Sequence, residues 1–69
     1  MDWRDKISTD PRVKGGVPVI KGRRIPVRTI VGGLAGGMTV AEVCYEYTVT
    51  EDDVDAALAY AAEAATSAP

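Results

Sequence analysis

The chain has 69 residues, of which 46% are hydrophobic, and its formal net charge is −2. This length allows one domain with a core worth only about 3–5 kcal/mol, so a further source of stability is expected. One cysteine cannot form a disulfide within the chain, and the absence of histidine disfavours a metal site, so we expect no metal or cofactor. Association of chains is the remaining source of stability, and we therefore predict a homodimer or larger oligomer. No apolar run is long enough for a membrane-spanning helix, and the first residues lack the apolar stretch of a secretory signal, which together predict a cytoplasmic protein.

The first predicted element is a β-hairpin. Residues 7–9 are a candidate short strand, which an Asp-Pro turn at 10–11 ends. Two β-prone runs, 17–20 and 23–25, then flank a Lys-Gly pair at 21–22. This arrangement is typical of a hairpin whose turn glycine has a positive φ.

Three helices are predicted after the hairpin. Pro26 fits the first position of a helix, and apolar residues follow it at helical spacing until the glycine pair 36–37. The sequence Thr-Val-Ala-Glu at 39–42 predicts a capping box that begins a second helix. A third begins in the same manner at Thr50, and we expect it to fray and leave 66–69 as a disordered tail.

These elements predict a single domain over residues 1–69, with an ordered core of about 7–65. The fold class is α+β but mainly α, with a short N-terminal β-hairpin followed by a three-helix, helix-turn-helix-like bundle.

The charges are divided between the two parts of the chain. Residues 1–28 contain all eight lysines and arginines and three aspartates, which gives +5, whereas residues 29–69 contain seven acids and no basic residue. Such an asymmetry suggests two surfaces with different partners. The alternative is that the two halves attract each other, within one chain or across a dimer.

The basic residues near the hairpin are the candidates for contact with DNA. They are Lys14, Lys21, Arg23, Arg24 and Arg28. A two-stranded ribbon fits the major groove, whereas the third helix opens with carboxylates that phosphates would repel. The alternative is that Arg24 and Arg28 pair with the acidic helices and hold the hairpin down, and for Arg24 we favour this interpretation.

The third helix carries the candidates for contact with a protein partner. They are Glu51, Asp52, Asp55, Glu63 and Tyr60. An acidic surface could occlude the positive groove of an RNA-binding nuclease. However, helix capping and solubility account equally for the acids at 51–53, and we weight that explanation higher. Cys44 and Tyr47 fit the core, while the sequence leaves open whether Trp3 packs on the hairpin or contacts a partner.

Two groups of residues form an ordered pattern along most of the chain. The first is Asp10-Pro11, Gly15-Gly16, Pro18-Val19-Ile20, Gly22 and Arg24-Ile25-Pro26-Val27. The second is Gly37, Thr39, Glu42, Tyr47, Thr50-Glu51-Asp52 and Ala57-Leu58-Ala59-Tyr60-Ala61. Over roughly residues 7–63, this pattern resembles domain-of-unknown-function family 433, whose members are small bacterial proteins with a helix-turn-helix-like fold.

The resemblance also implies a function. Many members are considered antitoxins paired with small PIN-like nuclease toxins, which implies toxin neutralisation with binding to the operon's own promoter as an additional role. The chain departs from the family at Arg23, where a Thr is frequent, and at Thr48 and Val49, where Pro and Leu are usual. We therefore expect the turn between the second and third helices to differ in detail.

Three hypotheses follow, and none of them is an enzyme. Catalysis is disfavoured because histidine is absent, Cys44 has no neighbouring base, and the glycines form no phosphate-binding motif. The leading hypothesis is an antitoxin-like binding protein of a type II toxin–antitoxin pair. The others are a stand-alone DNA-binding regulator that uses the basic hairpin and a self-assembling structural module.

Overall fold

A computed structural model of the protein describes residues 2–12 and 14–67. Two short strands, β1 (Ile7–Ser8) and β2 (Val19–Ile20), precede three helices. The helices are α1 (Val27–Ala35), α2 (Val40–Tyr47) and α3 (Glu51–Ser67). The predicted fold class, an N-terminal antiparallel hairpin followed by three helices, is therefore confirmed. None of the helices among the described residues combines the length and hydropathy needed to cross a membrane.

The pairing within the hairpin differs from the predicted pairing. β2 pairs with β1, with Ile7 opposite Ile20, whereas residues 23–25 form no strand. Ile20 N donates to Ile25 O (2.8 Å), and Val19 forms an isolated bridge with Pro26, but the other bonds of that segment to Ile20 are turn bonds. Arg24 explains the difference, because its φ of 57° is left-handed and interrupts an extended run.

The turn after β2 has the predicted glycine conformation. Gly22 has a φ of 79°, and the N–H groups of Arg23 and Arg24 both donate to Ile20 O. Pro26 is the N-cap of α1, with ψ at 140°, and the helix begins at Val27, one residue later than predicted.

Side-chain caps set the starts of the last two helices. The predicted capping box is present at α2, where Thr39 N donates to Glu42 Oε1 (2.8 Å) and Glu42 N donates to Thr39 Oγ1 (3.1 Å). Thr50 and Asp53 exchange the equivalent bonds at α3. These reciprocal bonds satisfy N–H groups that a helix start otherwise leaves without partners.

The turn between α2 and α3 has a conformation that the usual family residue could not adopt. Thr48 caps α2 with a φ of 54°, and proline is confined to a φ near −65°. A proline at this position would therefore require a different turn.

The core consists of short aliphatic side chains. Its buried members are Ile7, Val19, Ile20, Val27, Ile30, Val43, Val49, Val54, Ala56 and Ala57. Tyr47 and Cys44 are half-buried against this core, in agreement with their predicted place. Small side chains bury little apolar area each, at about 25 cal/mol per Å², so this core is a weak one.

Helix α3 extends past the core. Its buried residues all lie within 53–57, and 62–66 are exposed. The helix continues through Thr66 to Ser67, two residues that the sequence assigned to the tail. Residues 68 and 69 of the predicted tail lie outside the described residues.

Candidate functional site

The first candidate surface is a group of exposed cations around the turn between β2 and α1. This group, here called the basic turn, consists of Lys21, Arg23, Arg24 and Arg28. Lys21 Nζ donates to the backbone oxygen of Arg4 (3.0 Å). Among residues 2–12 and 14–67, no carboxylate lies within ion-pair distance of the other three. The basic turn therefore presents its charge to solvent.

Within one chain, this arrangement overturns the interpretation that Arg24 and Arg28 pair with the acidic helices. Carboxylates of α3 do pair with cations of the N-terminal half, but those cations are Arg4 and Lys6. Arg24 lies instead in the left-handed turn beside β2 and is exposed. The fifth predicted DNA contact, Lys14, begins a 3₁₀ turn, and its side chain lies outside the described residues.

The position of the basic turn adds to its positive potential. Helix α1 has no acid in its first turn, and Pro26 offers no side-chain cap. The helix dipole places a partial positive charge at this end, where Arg28 is disfavoured by about 0.3–1 kcal/mol. Val27 N donates to Pro18 O (2.9 Å) and Thr29 N to Pro26 O (3.0 Å), so the dipole and the arginines, rather than free N–H groups, favour an anion such as a phosphate here.

The second candidate surface lies at the start of α3 and is acidic. Glu51, Asp52 and Asp55 are exposed, and within the described part of the chain none of them forms an ion pair. They form the acidic start of α3, where the helix dipole favours negative charge. Their solvent-facing carboxylates remain available to a positively charged partner.

Asp53, in the same turn of the helix, has a structural role. Its side chain is buried, accepts a hydrogen bond from Thr50 N (2.9 Å) and lies 3.4 Å from Lys6 Nζ. Burial raises the pKa of Asp53, but the Thr50 hydrogen bonds and the Lys6 ammonium outweigh it and hold the pKa below its usual value. Asp53 therefore fixes β1 and the N-terminal segment to α3.

Two of the predicted partner contacts are occupied within the chain. Trp3 Nε1 donates to Glu63 Oε2 (2.6 Å), and the Trp3 ring meets Tyr60 edge-on at 4.9 Å between centroids. Arg4 lies 4.5 Å from the centre of the Trp3 ring and 3.2 Å from Glu63 Oε1. We call these four residues the N-terminal clasp. The sequence left open whether Trp3 packs on the hairpin or contacts a partner. In the structure it packs on α3.

A groove between α1 and α3 is the feature that the sequence analysis missed. It has a volume of about 500 Å³. Its lining residues are Val17, Pro18, Val27, Arg28, Val31, Tyr60, Ala61 and Ala64. The signal in the sequence was the run of alanines in α3.

Metal-binding clusters and buried polar side-chain atoms without partners are both absent among the described residues. No group of three or more His, Cys, Asp or Glu side chains among them could hold a metal ion. Every buried polar side-chain atom among them has a hydrogen-bond partner.

Comparison with known proteins gives one match. The family model described as a protein of unknown function (DUF433) matches residues 7–61. No curated protein and no solved structure matches the chain. The match covers both strands, α1, α2 and most of α3, but leaves out Trp3, Arg4 and Glu63 of the N-terminal clasp.

Proposed function

Since the chain belongs to the DUF433 family, which it matches over residues 7–61, we propose that it is an antitoxin-like binding protein that neutralises a small PIN-like nuclease. The observation that carries this proposal is the acidic start of α3. Its three carboxylates are exposed and without ion pairs within the described residues. The resemblance to a family with many presumed antitoxins supplies the class of partner.

The proposed mechanism is occlusion of the RNA-binding groove of the nuclease. An enzyme that cleaves RNA needs a positively charged groove for the phosphate backbone. The acidic start of α3 has the opposite charge, and such complementarity speeds association and sharpens specificity. This role needs no catalytic group in the chain, which fits a binding protein of this size rather than an enzyme.

An affinity pull-down tests this function. The tagged protein is incubated with nuclease-treated lysate of its native host, and bound proteins are identified by mass spectrometry. We expect a small PIN-like nuclease in stoichiometric amount. The double variant Glu51→Gln/Asp52→Asn should lose it, because both substitutions keep the side-chain shape and remove the charge.

The control variant is Arg12→Ala. Arg12 is exposed, and among the described residues it pairs only with Asp10, far in sequence from α3, so this variant should capture the same partner as the wild type. Recovery of the bait alone, or equal recovery of the nuclease by the acid-neutralised variant, would contradict the proposal.

A second candidate function, promoter binding, is favoured by the basic turn. Arg23, Arg24 and Arg28 carry no ion pair within the described residues and lie at the positive end of α1. Phosphate contacts release counterions, so the binding constant should fall steeply with salt. The same turn would serve either autoregulation by an antitoxin or a stand-alone regulator.

Fluorescence anisotropy with duplex DNA from the region upstream of the gene tests promoter binding. Lys21→Ala and Arg23→Ala should each weaken binding and reduce the logarithmic salt slope by about 1, while Arg12→Ala should leave both unchanged. A salt slope that is the same in Lys21→Ala, Arg23→Ala and the wild type would exclude the basic turn as the DNA contact.

A further inference from the structure

The groove between α1 and α3 leaves apolar surface uncovered in a chain with a weak core. Seven of its eight lining residues are Val, Pro, Ala or Tyr, and Arg28 is the only charged one. A core of short aliphatic side chains supplies little stability in a chain of 69 residues, and small scaffolds commonly gain the remainder by association. Covering this groove would supply that stability.

Helix α3 itself carries a side chain that suits the groove. Leu58 is 41% exposed, and it is one of three large hydrophobic residues so exposed in the described part of the chain. It lies three residues before Ala61, a lining residue, and residues so spaced are neighbours on a helix surface. The exposed Leu58 side chain and the apolar groove therefore lie side by side.

The charged residue beside Leu58 and the charged residue of the groove have opposite signs. Arg28 lines the groove, and Asp55 lies one helical turn before Leu58. Both are exposed, and neither has an ion-pair partner among residues 2–12 and 14–67. A partner helix that fills the groove should carry an apolar side chain for the groove and a carboxylate that pairs with Arg28. Helix α3 of this chain carries both, as Leu58 and Asp55.

We propose that the groove is occupied by a second copy of this chain, in a two-fold symmetric dimer. The α3 helices of the two copies cross antiparallel, so that Leu58 of each copy enters the groove of the other beside Ala61. Asp55 then lies towards the C-terminal part of the opposite α3, where Arg28 borders the groove. A two-fold axis repeats each contact, because both partners present the same surface.

This dimer shares Asp55 with the acidic start of α3 and Arg28 with the basic turn. The tests of nuclease and DNA binding change Glu51, Asp52, Lys21 and Arg23, whereas the tests of the dimer change none of these and are made without nuclease or DNA. Failure of the dimer would therefore leave the tests of those functions unaffected.

Sedimentation equilibrium of the full chain over a wide concentration range tests the dimer. We expect a species of twice the 7.3 kDa chain mass. Leu58→Glu should raise the dissociation constant about 30-fold or more, the effect of removing a central interface residue. Ala41→Glu is the matched control, since Ala41 is exposed, lies on α2 and does not line the groove.

Charge reversal gives a second test that does not depend on Leu58. Arg28→Glu and Asp55→Arg should each weaken the dimer about tenfold, because each places like charges together. The double variant should restore the dissociation constant to within about threefold of the wild-type value. Circular dichroism verifies that each variant is folded.

Three results would overturn the proposal. The chain could remain a monomer at every concentration, or it could form a dimer whose dissociation constant Leu58→Glu leaves unchanged. The third is a double variant that is no tighter than either single charge reversal, because Arg28 and Asp55 would then not meet across the interface.

Discussion

The N-terminal clasp should supply a large share of the stability of the fold, and Trp3→Ala tests it. This substitution removes the edge-to-face contact with Tyr60, the hydrogen bond to Glu63 and the contact with Arg4. The aromatic pair is worth about 0.5–1.5 kcal/mol. The hydrogen bond adds about 1 kcal/mol and the cation–π contact about 0.5–1 kcal/mol.

The summed effect is about 2–3 kcal/mol. A domain of this size has a free energy of unfolding of roughly 5 kcal/mol, so Trp3→Ala should lower the Tm by about 10–20 °C. Trp3→Phe keeps a ring against Tyr60 and loses the hydrogen bond to Glu63, so it should cost only about 1 kcal/mol.

Urea unfolding followed by circular dichroism measures these differences, and both variants can be followed because the helical signal does not depend on tryptophan. Arg12→Ala serves as the control and should stay within about 0.5 kcal/mol of the wild type. If Trp3→Ala also stays within that range, residues 2–6 do not hold α3, and the reasoning is refuted.

Three further predictions concern other positions. Because folding lowers the pKa of Asp53, its carboxylate stabilises the fold at pH values above the ordinary pKa of 3.8, and this stability is lost as the pH falls through the lower pKa of the folded state. Asp53→Asn should lower the free energy of unfolding by about 1–2 kcal/mol at neutral pH and flatten the acid side of a plot of stability against pH. Gly32→Ala should stabilise the fold by up to about 1 kcal/mol, because a Cβ there meets nothing within 4 Å. Gly33→Ala should stabilise it less, since its Cβ would lie 3.1 Å from Met38 Sδ. An equal rise in Tm for the two variants would contradict this. Thr39→Ala removes the capping box of α2 and should cost about 1 kcal/mol in the same assay, while no change in Tm would show that the cap is dispensable.

Local signals in the sequence were sufficient for the helices. The Thr39–Glu42 capping box begins α2 as predicted, because both bonds form between residues three apart. The start of α3 at Thr50 follows the same rule with Asp53 as the reciprocal residue. Such caps depend on neighbouring residues alone, so the sequence is enough to locate them.

Contacts between distant residues were harder to predict. The partner of β2 is β1 rather than 23–25, because Arg24 adopts a left-handed conformation that no residue pattern indicated. The sequence also gave no means of choosing among the cations for the acids of α3. Arg4 and Lys6 take that role because the N-terminal segment packs on α3, a contact between residues about 47–60 positions apart.

The candidate surfaces were predicted in part. The division of charge indicated a basic and an acidic surface, and the basic turn and the acidic start of α3 are both exposed. Glu63 and Tyr60 were placed in the partner surface because sequence alone did not show that Trp3 covers them. The groove was missed because its walls come from three separate parts of the chain.

Inhibition of RNA cleavage tests the central proposal most directly. The captured nuclease is assayed on a single-stranded RNA while increasing amounts of the protein are added. We predict that cleavage stops near one molar equivalent, and that Glu51→Gln/Asp52→Asn requires a large excess while Arg12→Ala inhibits as the wild type does. Undiminished cleavage in the presence of excess wild-type protein would contradict the account.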